Sequence, residues 1–256
     1  MKKIGVLIIA TNKYIKFFNS LENEIYKYFL PSEDVNIILF TNKLKFNPKD
    51  NRTQLIFINH EKWPLITLKR FEFFEENSQL FENFDYLFYL DVDMKIVNQV
   101  DSSILSNLVG TIHPGYHNKS NKNYPTSNNK RSTAFISEGD KLNLKNYYAV
   151  GFFGGSKDYF LNMTIKLNEN IKEDIKNNEI PQWHDESHLN KFFSLNNPTK
   201  ELPISYCFIQ SKVNKSNRNT VKIIALDKNH LKFRSNFYLL DFTMEKVRRL
   251  KNSIFK

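Results

Sequence analysis

Residues 84–94 read FDYLFYLDVDM, an apolar run that ends on two aspartates with one residue between them. A strand covered on both faces is continuously apolar, so Tyr86–Leu90 fits a buried strand of a parallel sheet. Similar short runs occur at Ile4–Ala10, Val35–Phe40 and Leu55–Ile58. Between the first two lies YIKFFNSLENEIYKYFL, where Phe17, Phe18, Leu21, Ile25, Tyr28 and Phe29 form one helical stripe. TLKRFEFFEENSQLFENF, residues 67–84, predicts a second helix that feeds the strand before Asp91. Strands alternating with helices imply an α/β fold with a mostly parallel sheet. HNKSNKNYPTSNNKRS, residues 117–132, reads as a long, mobile surface loop.

In open α/β sheets ligands sit outside the carboxyl ends of the strands, which is where Asp91 and Asp93 fall. An extended chain there would turn both carboxylates to one face. Hard cations such as Mg²⁺ or Mn²⁺ take carboxylate oxygens together with substrate phosphates, so the pair suits a diphosphate–metal site. Taken alone, D-x-D is a weak motif.

The chain has 256 residues, 41% of them hydrophobic, and a formal net charge of +10. That is enough apolar material for one large folded domain and argues against disorder. The charge suggests an anionic partner, although a chain this rich in Lys, Asn, Ile and Phe carries some of it through composition alone. Neither an RNA-binding signature nor a zinc knuckle is present, so nucleic acid is not the expected partner. Cys207, the single cysteine, allows no intramolecular disulfide and favours a reducing compartment. Ile4–Ala10 is short and lacks a small-x-small cleavage site, so it reads as a first strand rather than a signal peptide. No run approaches the roughly 20 apolar residues of a membrane span. The expectation is a soluble, cytoplasmic protein. FTMEKVRRLKNSIFK, residues 242–256, is basic and helix-compatible, leaving peripheral contact with acidic lipid at the inner membrane face as an option.

WHDESHLNKFF, residues 183–193, packs Trp183, His184, Asp185, Glu186 and His188 ahead of an apolar helix. Two histidines four apart raise a zinc hydrolase, but the carboxylate directly after the first is Asp185, and Glu186 is turned about 100° from it. Glu186 reads instead as a buried carboxylate facing developing positive charge. In YYAVGFFGGS, residues 147–156, Gly151, Gly154 and Gly155 suggest backbone brought close to a ligand; in isolation such a cluster reads as a turn.

DVDM (91–94), TIHPGY (111–116), YYAVGFFGGS (147–156) and WHDESHLNK (183–191) together, in this order, resemble the family 6 glycosyltransferases. These include the histo-blood-group A and B transferases, α-1,3-galactosyltransferase and bacterial members. The similarity runs from about residue 4 to 234. It implies a single GT-A type catalytic domain over 1–234, with 235–256 as a basic, helical tail. The implied reaction moves galactose or N-acetylgalactosamine from UDP to the 3-hydroxyl of a galactose-containing glycan, retaining the α configuration.

Residue by residue, the resemblance implies that Asp91 and Asp93, with Val92 between them, hold Mn²⁺ (or Mg²⁺) against the UDP diphosphate. Tyr14 matches a nucleotide-contacting tyrosine, and Ile9 stands where animal members have a stacking phenylalanine. Arg70, Asp185, Lys228 and Arg234 match donor-side positions, the last two in a segment that closes over the diphosphate. Trp63 matches a tryptophan before Arg70. Glu186 matches the central carboxylate, as nucleophile or as stabiliser of an oxocarbenium-like state. His113, Trp183, His184 and Glu186 match acceptor-side positions, whereas an acceptor-contacting aspartate of the blood-group enzymes aligns near Ile209. Ala149, Val150 and Gly151 match the pocket at C2 of the donor sugar. Small residues at 149 and 151, and Gly115, fit the N-acetylgalactosamine users; the branched Val150 fits UDP-galactose. A fucosylated galactose acceptor follows from His113. The alternative outside the family is a non-catalytic basic protein, either a sugar-nucleotide binder or one that binds nucleic acid or an acidic surface.

Overall fold

The computed structural model describes residues 1–228 and 233. The chain divides into a compact unit, Met1–Leu226, and a C-terminal one, Asp227–Lys256. All the elements named here belong to the first. Arg234 and the basic tail lie outside the described residues.

The first unit opens β1 (Lys3–Ile9), α1 (Ile15–Tyr28), β2 (Asp34–Thr41) and β3 (Thr53–Phe57). Then come α2 (Leu65–Leu68), α3 (Arg70–Glu76), β4 (Tyr86–Leu90), β5 (Met94–Ile96) and β6 (Leu108–Ile112). The remaining elements are α4 (Glu138–Asn143), β7 (Tyr148–Ser156), α5 (Lys157–Lys176), α6 (Asp185–Leu195), β8 (Lys200–Leu202), β9 (Phe208–Ile209) and β10 (Ile223–Ala225). Seven strands form the main sheet in the order β3-β2-β1-β4-β7-β6-β8, and β5-β10-β9 form a small second sheet. Neighbours in the main sheet run parallel except where β7 lies antiparallel to both β4 and β6. This is the mostly parallel α/β architecture of a GT-A fold.

Strand alternation divides the core. Val6, Ile8, Phe88, Leu90 and Phe152 face α1 and the small sheet. Leu7, Leu87, Tyr89 and Phe153 face the other way, onto α3, α5 and α6. Helix α5 buries Phe160, Met163, Leu167 and Ile171, one stripe at helical spacing. A layer of helix on each face explains why β1 after Lys3, and β4, are apolar throughout.

The sequence departs from the structure in two places, the helix at 67–84 and the loop at 117–132. The helix expected over 67–84 is broken into α2, α3 and a 3-10 turn at Ser78–Phe81. It breaks at Lys69, where the chain turns the Arg70 side chain inward to reach Thr67 O at 3.1 Å. It ends at Asn77, whose amide donates to Phe73 O at 2.8 Å instead of letting the helix continue. The glycine-rich stretch forms a strand over Tyr148–Ser156, not the turn that such a cluster would make in isolation. The loop at 117–132 is irregular, but its far end is pinned. There Ser132 Oγ and Thr133 N donate to the buried Asp174 at 2.5 and 2.7 Å, and Asn129 donates to Glu179 at 2.6 Å.

Candidate functional site

Strand register brings the scattered motifs to one edge. β1 and β4 run parallel with Leu7 opposite Tyr89, so continuing that register puts Ile9 level with Asp91. β7 runs the other way, with Leu90 opposite Phe152, so its amino end, Ala149–Gly151, meets the carboxyl end of β4. Asp91 N donates to Gly151 O at 2.9 Å there. His113 leaves β6 at the same edge, donating its N–H to Tyr147 O at 2.8 Å. Tyr14 follows β1 and packs on Phe17, with ring centroids 6.1 Å apart.

The two aspartates are not on an extended segment. Met94 N donates back to Asp91 O at 3.0 Å, closing a tight turn over Asp91–Val92–Asp93–Met94. Val92 tucks into the core at 4% exposure while Asp91 and Asp93 stay half-buried. The turn, not strand alternation, therefore presents the pair. Leu226 N ties the Asp93 carbonyl to the chain after β10 at 3.0 Å.

Helix α6 closes the site from the far side. Asn190, fully buried, clamps it to β7: its amide donates to Tyr148 O at 2.8 Å and Glu186 O at 2.9 Å, and its oxygen accepts from Tyr148 N at 2.8 Å. Asp185 and Glu186 occupy the first turn, where the helix dipole favours negative charge. Just before them, His184 adopts φ 52° and ψ −125°, a strained backbone for a non-glycine residue and of the kind that costs about 1–3 kcal/mol. Its ring meets Trp63 edge-on at 4.7 Å. Trp183 is partly exposed and donates its N–H to Ser187 Oγ at 3.1 Å.

Arg70 links the two halves. It is 3% exposed, with Asp185 Oδ2 at 3.0 Å, Asp91 Oδ1 at 3.7 Å and Val150 O accepting at 3.3 Å. Its guanidinium lies 4.3 Å from the centre of the Tyr89 ring. Burial alone would lower its pKa, but Asp185, Tyr89 and Asp91 outweigh that and raise it. Glu186 takes the Val150 N–H at 3.3 Å. Some of its surface reaches solvent, yet protein encloses it closely enough that burial, with Asp185 beside it, raises its pKa to about 8. The Tyr147 hydroxyl lies next to this carboxylate and has its own pKa raised by burial. His113 is neutral, its pKa lowered to about 4 by burial. Its Nδ1 accepts from Gly115 N at 3.0 Å, which leaves the proton on Nε2 and makes that nitrogen a donor rather than a base.

The structure thus assembles Ile9, Arg70, Asp91, Val92, Asp93, His113, Ala149, Val150, Gly151, Asp185 and Glu186 at one edge. Lys228 belongs to the C-terminal unit, and Arg234 lies outside the described residues. The histidine pair is not a zinc site: His184 stands before the helix, while His188 is buried with Nε2 at 3.5 Å from Asp174. Tyr89, Tyr147 and Asn190 escaped the sequence reading. Tyr89 was accessible in principle, since it shares a strand face with Asp91; the place of Tyr147 beside Glu186 and the hold of Asn190 on Tyr148 are marked only by contacts distant in sequence.

Around one buried arginine stand three carboxylates, Asp91, Asp185 and Glu186, so the cluster has room for further positive charge. Oδ1 of Asp91 accepts from the Tyr89 hydroxyl, and among the described residues no donor reaches Oδ2. No group of three or more His, Cys, Asp or Glu among those residues is arranged to hold a metal. The carboxylate pair nonetheless suits a hard cation whose other ligands come from phosphate and water.

Carboxylates at the carboxyl edge of an α/β sheet, closed by a helix bearing a closely enclosed glutamate, are the arrangement expected of a group-transfer enzyme on a GT-A fold. The model of glycosyltransferase family 6 matches residues 1–235, and the chain belongs to that family. Histo-blood group ABO system transferase 1 of Rattus norvegicus is 32% identical over 243 residues, 91% of this chain and 68% of that protein. Globoside alpha-1,3-N-acetylgalactosaminyltransferase 1 of Homo sapiens is 29% identical over 235 residues, covering 88% and 66%. The O-antigen biosynthesis glycosyltransferase WbnI of Escherichia coli is 29% identical over 198 residues, covering 76% and 83%. The chain is therefore a glycosyltransferase spanning about two thirds of its animal relatives. No described helix is long and apolar enough to cross a membrane.

Proposed function

We propose that the chain transfers N-acetylgalactosamine from UDP-N-acetylgalactosamine to the 3-hydroxyl of a galactose carrying an α-1,2-linked fucose, with retention at the anomeric carbon. The observation that carries this reading is Glu186, fixed through the Val150 N–H and facing the Asp91 turn across the same edge. A carboxylate held there meets the anomeric carbon as the bond to UDP breaks, and serves as nucleophile or as counter-charge to an oxocarbenium-like state. Asp91 and Asp93 would hold Mn²⁺ or Mg²⁺, which supplies charge neutralisation on the departing diphosphate. Arg70 keeps Asp91 and Asp185 in place. His113, donating from Nε2, orients an acceptor hydroxyl. Lys228 and Arg234 complete the donor contacts in this reading, with Ile9 and Tyr14 at the base and Trp183 and His184 at the acceptor.

The N-acetylgalactosamine preference draws on Ala149 and Gly151 and on relatives whose names carry that sugar. Val150 favours a second reading, UDP-galactose as donor, since it is branched and its backbone N–H holds Glu186. Radiolabelled UDP-N-acetylgalactosamine and UDP-galactose, each offered with fucosylated and plain galactosides, test both. Transfer is expected to stop in excess EDTA and to return with Mn²⁺. Full activity in EDTA would remove Asp91 and Asp93 as metal ligands.

A further inference from the structure

Tyr89 sits on β4 two residues before Asp91, on the same strand face and 2% exposed. Its ring packs against Phe74 and Phe153 at 5.7 and 5.3 Å and lies under the Arg70 guanidinium. A phenylalanine would make every one of those contacts. Packing therefore leaves the hydroxyl unaccounted for, and a buried phenol needs a polar partner. That partner is Asp91 Oδ1, to which the hydroxyl donates.

Oδ1 is also the oxygen nearest Arg70, at 3.7 Å. The Tyr89 hydroxyl donates to Oδ1 and the Arg70 charge lies beside that same oxygen; together they hold the orientation of the carboxylate and leave Oδ2 as the oxygen with its lone pairs available. Oδ2 lies 3.4 Å from where a Cβ on Gly151 would stand, so the absent side chain keeps that approach open. A carboxylate locked in this way offers a cation one oxygen rather than two. Mn²⁺ and Mg²⁺ accept single oxygens in near-octahedral arrays, whereas Ca²⁺ readily takes both oxygens of a carboxylate.

We propose that Tyr89 is a positioning residue that holds Asp91 as a one-oxygen ligand and so sets the preference of the site for small divalent cations over Ca²⁺. This rests on the reading of Asp91 and Asp93 as metal ligands. In Tyr89→Phe the carboxylate is free to rotate and bind through both oxygens. Partners that orient metal ligands typically contribute roughly 10- to 100-fold in affinity.

The test titrates Mn²⁺, and separately Ca²⁺, into wild type and Y89F with UDP saturating, followed by loss of the free Mn²⁺ paramagnetic signal and by calorimetry. Mn²⁺ affinity is expected to fall by roughly tenfold or more in Y89F, Ca²⁺ affinity to fall less, and kcat to recover at saturating Mn²⁺ while the Mn²⁺ requirement rises. Equal Mn²⁺ affinities in the two proteins would overturn the inference and leave the metal site standing. Wild type that binds no Mn²⁺ in the presence of UDP would remove the metal reading and the inference with it. If Y89F does not fold, two tyrosine analogues at position 89 carry the test, one with an amino group and one with a methyl group in place of the hydroxyl. They match in shape and differ in donating ability, so tighter Mn²⁺ binding by the amino form supports the assignment and equal binding refutes it.

Discussion

A methyl group added at Gly151 would stand 2.9 Å from Met94 Cε and 3.4 Å from Asp91 Oδ2; at Gly155, on the same strand, it would stand 2.2 Å from the Asn107 carbonyl oxygen. At Gly154 it would meet Phe88 at 2.3 Å and the Leu87 carbonyl oxygen at 2.5 Å. The neighbours of Gly151 are the tip of a flexible thioether, which can shift, and a carboxylate of the site at ordinary contact distance. Those of Gly154 and Gly155 include backbone, which does not. One end of β7 is shaped to leave space for a ligand and the other to let strands and loop close on each other. The same residue type serves opposite purposes, and only its surroundings distinguish them.

The largest effect belongs at the ligand end. Glu186→Gln keeps shape and removes the charge, and turnover is expected to fall at least roughly a hundredfold, about 2.7 kcal/mol, the size of one transition-state contact. Donor affinity, measured by calorimetry, should change little. Near-normal turnover in a folded variant would take Glu186 out of the reaction and reduce the contrast between the two ends to packing alone.

Gly155→Ala probes the other end. The added methyl has no path but to displace backbone, so stability should drop by roughly 1–3 kcal/mol, seen as a lower urea midpoint. The ratio of donors used by the surviving folded enzyme should not move. A changed ratio would mean that the packed end reaches the pocket after all.

How far these roles were legible follows from where their causes lie. The order of β1, α1, β2 and β4 was readable because buried parallel strands are apolar throughout and α1 keeps its stripe. The antiparallel placement of β7 was not, because YAVGFFGG shows no alternation: its glycines stand in for side chains on both faces. The break at Lys69 was equally hidden, since it depends on Arg70 turning inward to Asp185, more than a hundred residues away. The carboxylates were found from motif and spacing, but the premise of an extended D-x-D gave way to a turn. Tyr89 looked like one more core aromatic, because its hydroxyl acquires meaning only once the Asp91 carboxylate is seen turned onto it.

The pH dependence sharpens the site end further. Burial and Asp185 raise the pKa of Glu186 to about 8, so the free enzyme carries it protonated below that pH. If the ionised form is the working one, kcat/KM should rise about tenfold per pH unit up to near 8 and then level. Stability gives the sign independently. The folded state holds this proton more tightly than the unfolded chain, whose value is 4.5, so the stabilising contribution is complete below 4.5 and lost as pH rises through 8. The melting temperature of E186Q should therefore gain on that of wild type across this window. A constant difference between the two proteins would show that Glu186 is not raised.

The smallest effect is expected at Gly151. The two donors differ at C2, where an acetamido group replaces a hydroxyl, so the pocket must hold several extra heavy atoms for one and not for the other. Gly151→Ala adds a methyl whose nearest obstacle, Met94 Cε at 2.9 Å, is the far end of a flexible side chain. The strand should accept it with little loss of stability, in contrast to Gly155→Ala. What the methyl takes is space beside Asp91 Oδ2, at the edge where the donor is proposed to lie. A change of one methylene discriminates by only roughly 1–3 kcal/mol, so the wild type should show some galactose transfer and the variant should shift towards UDP-galactose without losing activity. The measurement is kcat/KM for both donors with both proteins. A wild-type preference for UDP-galactose would assign the pocket to the branched Val150 and would leave Gly151 as clearance for Met94 alone.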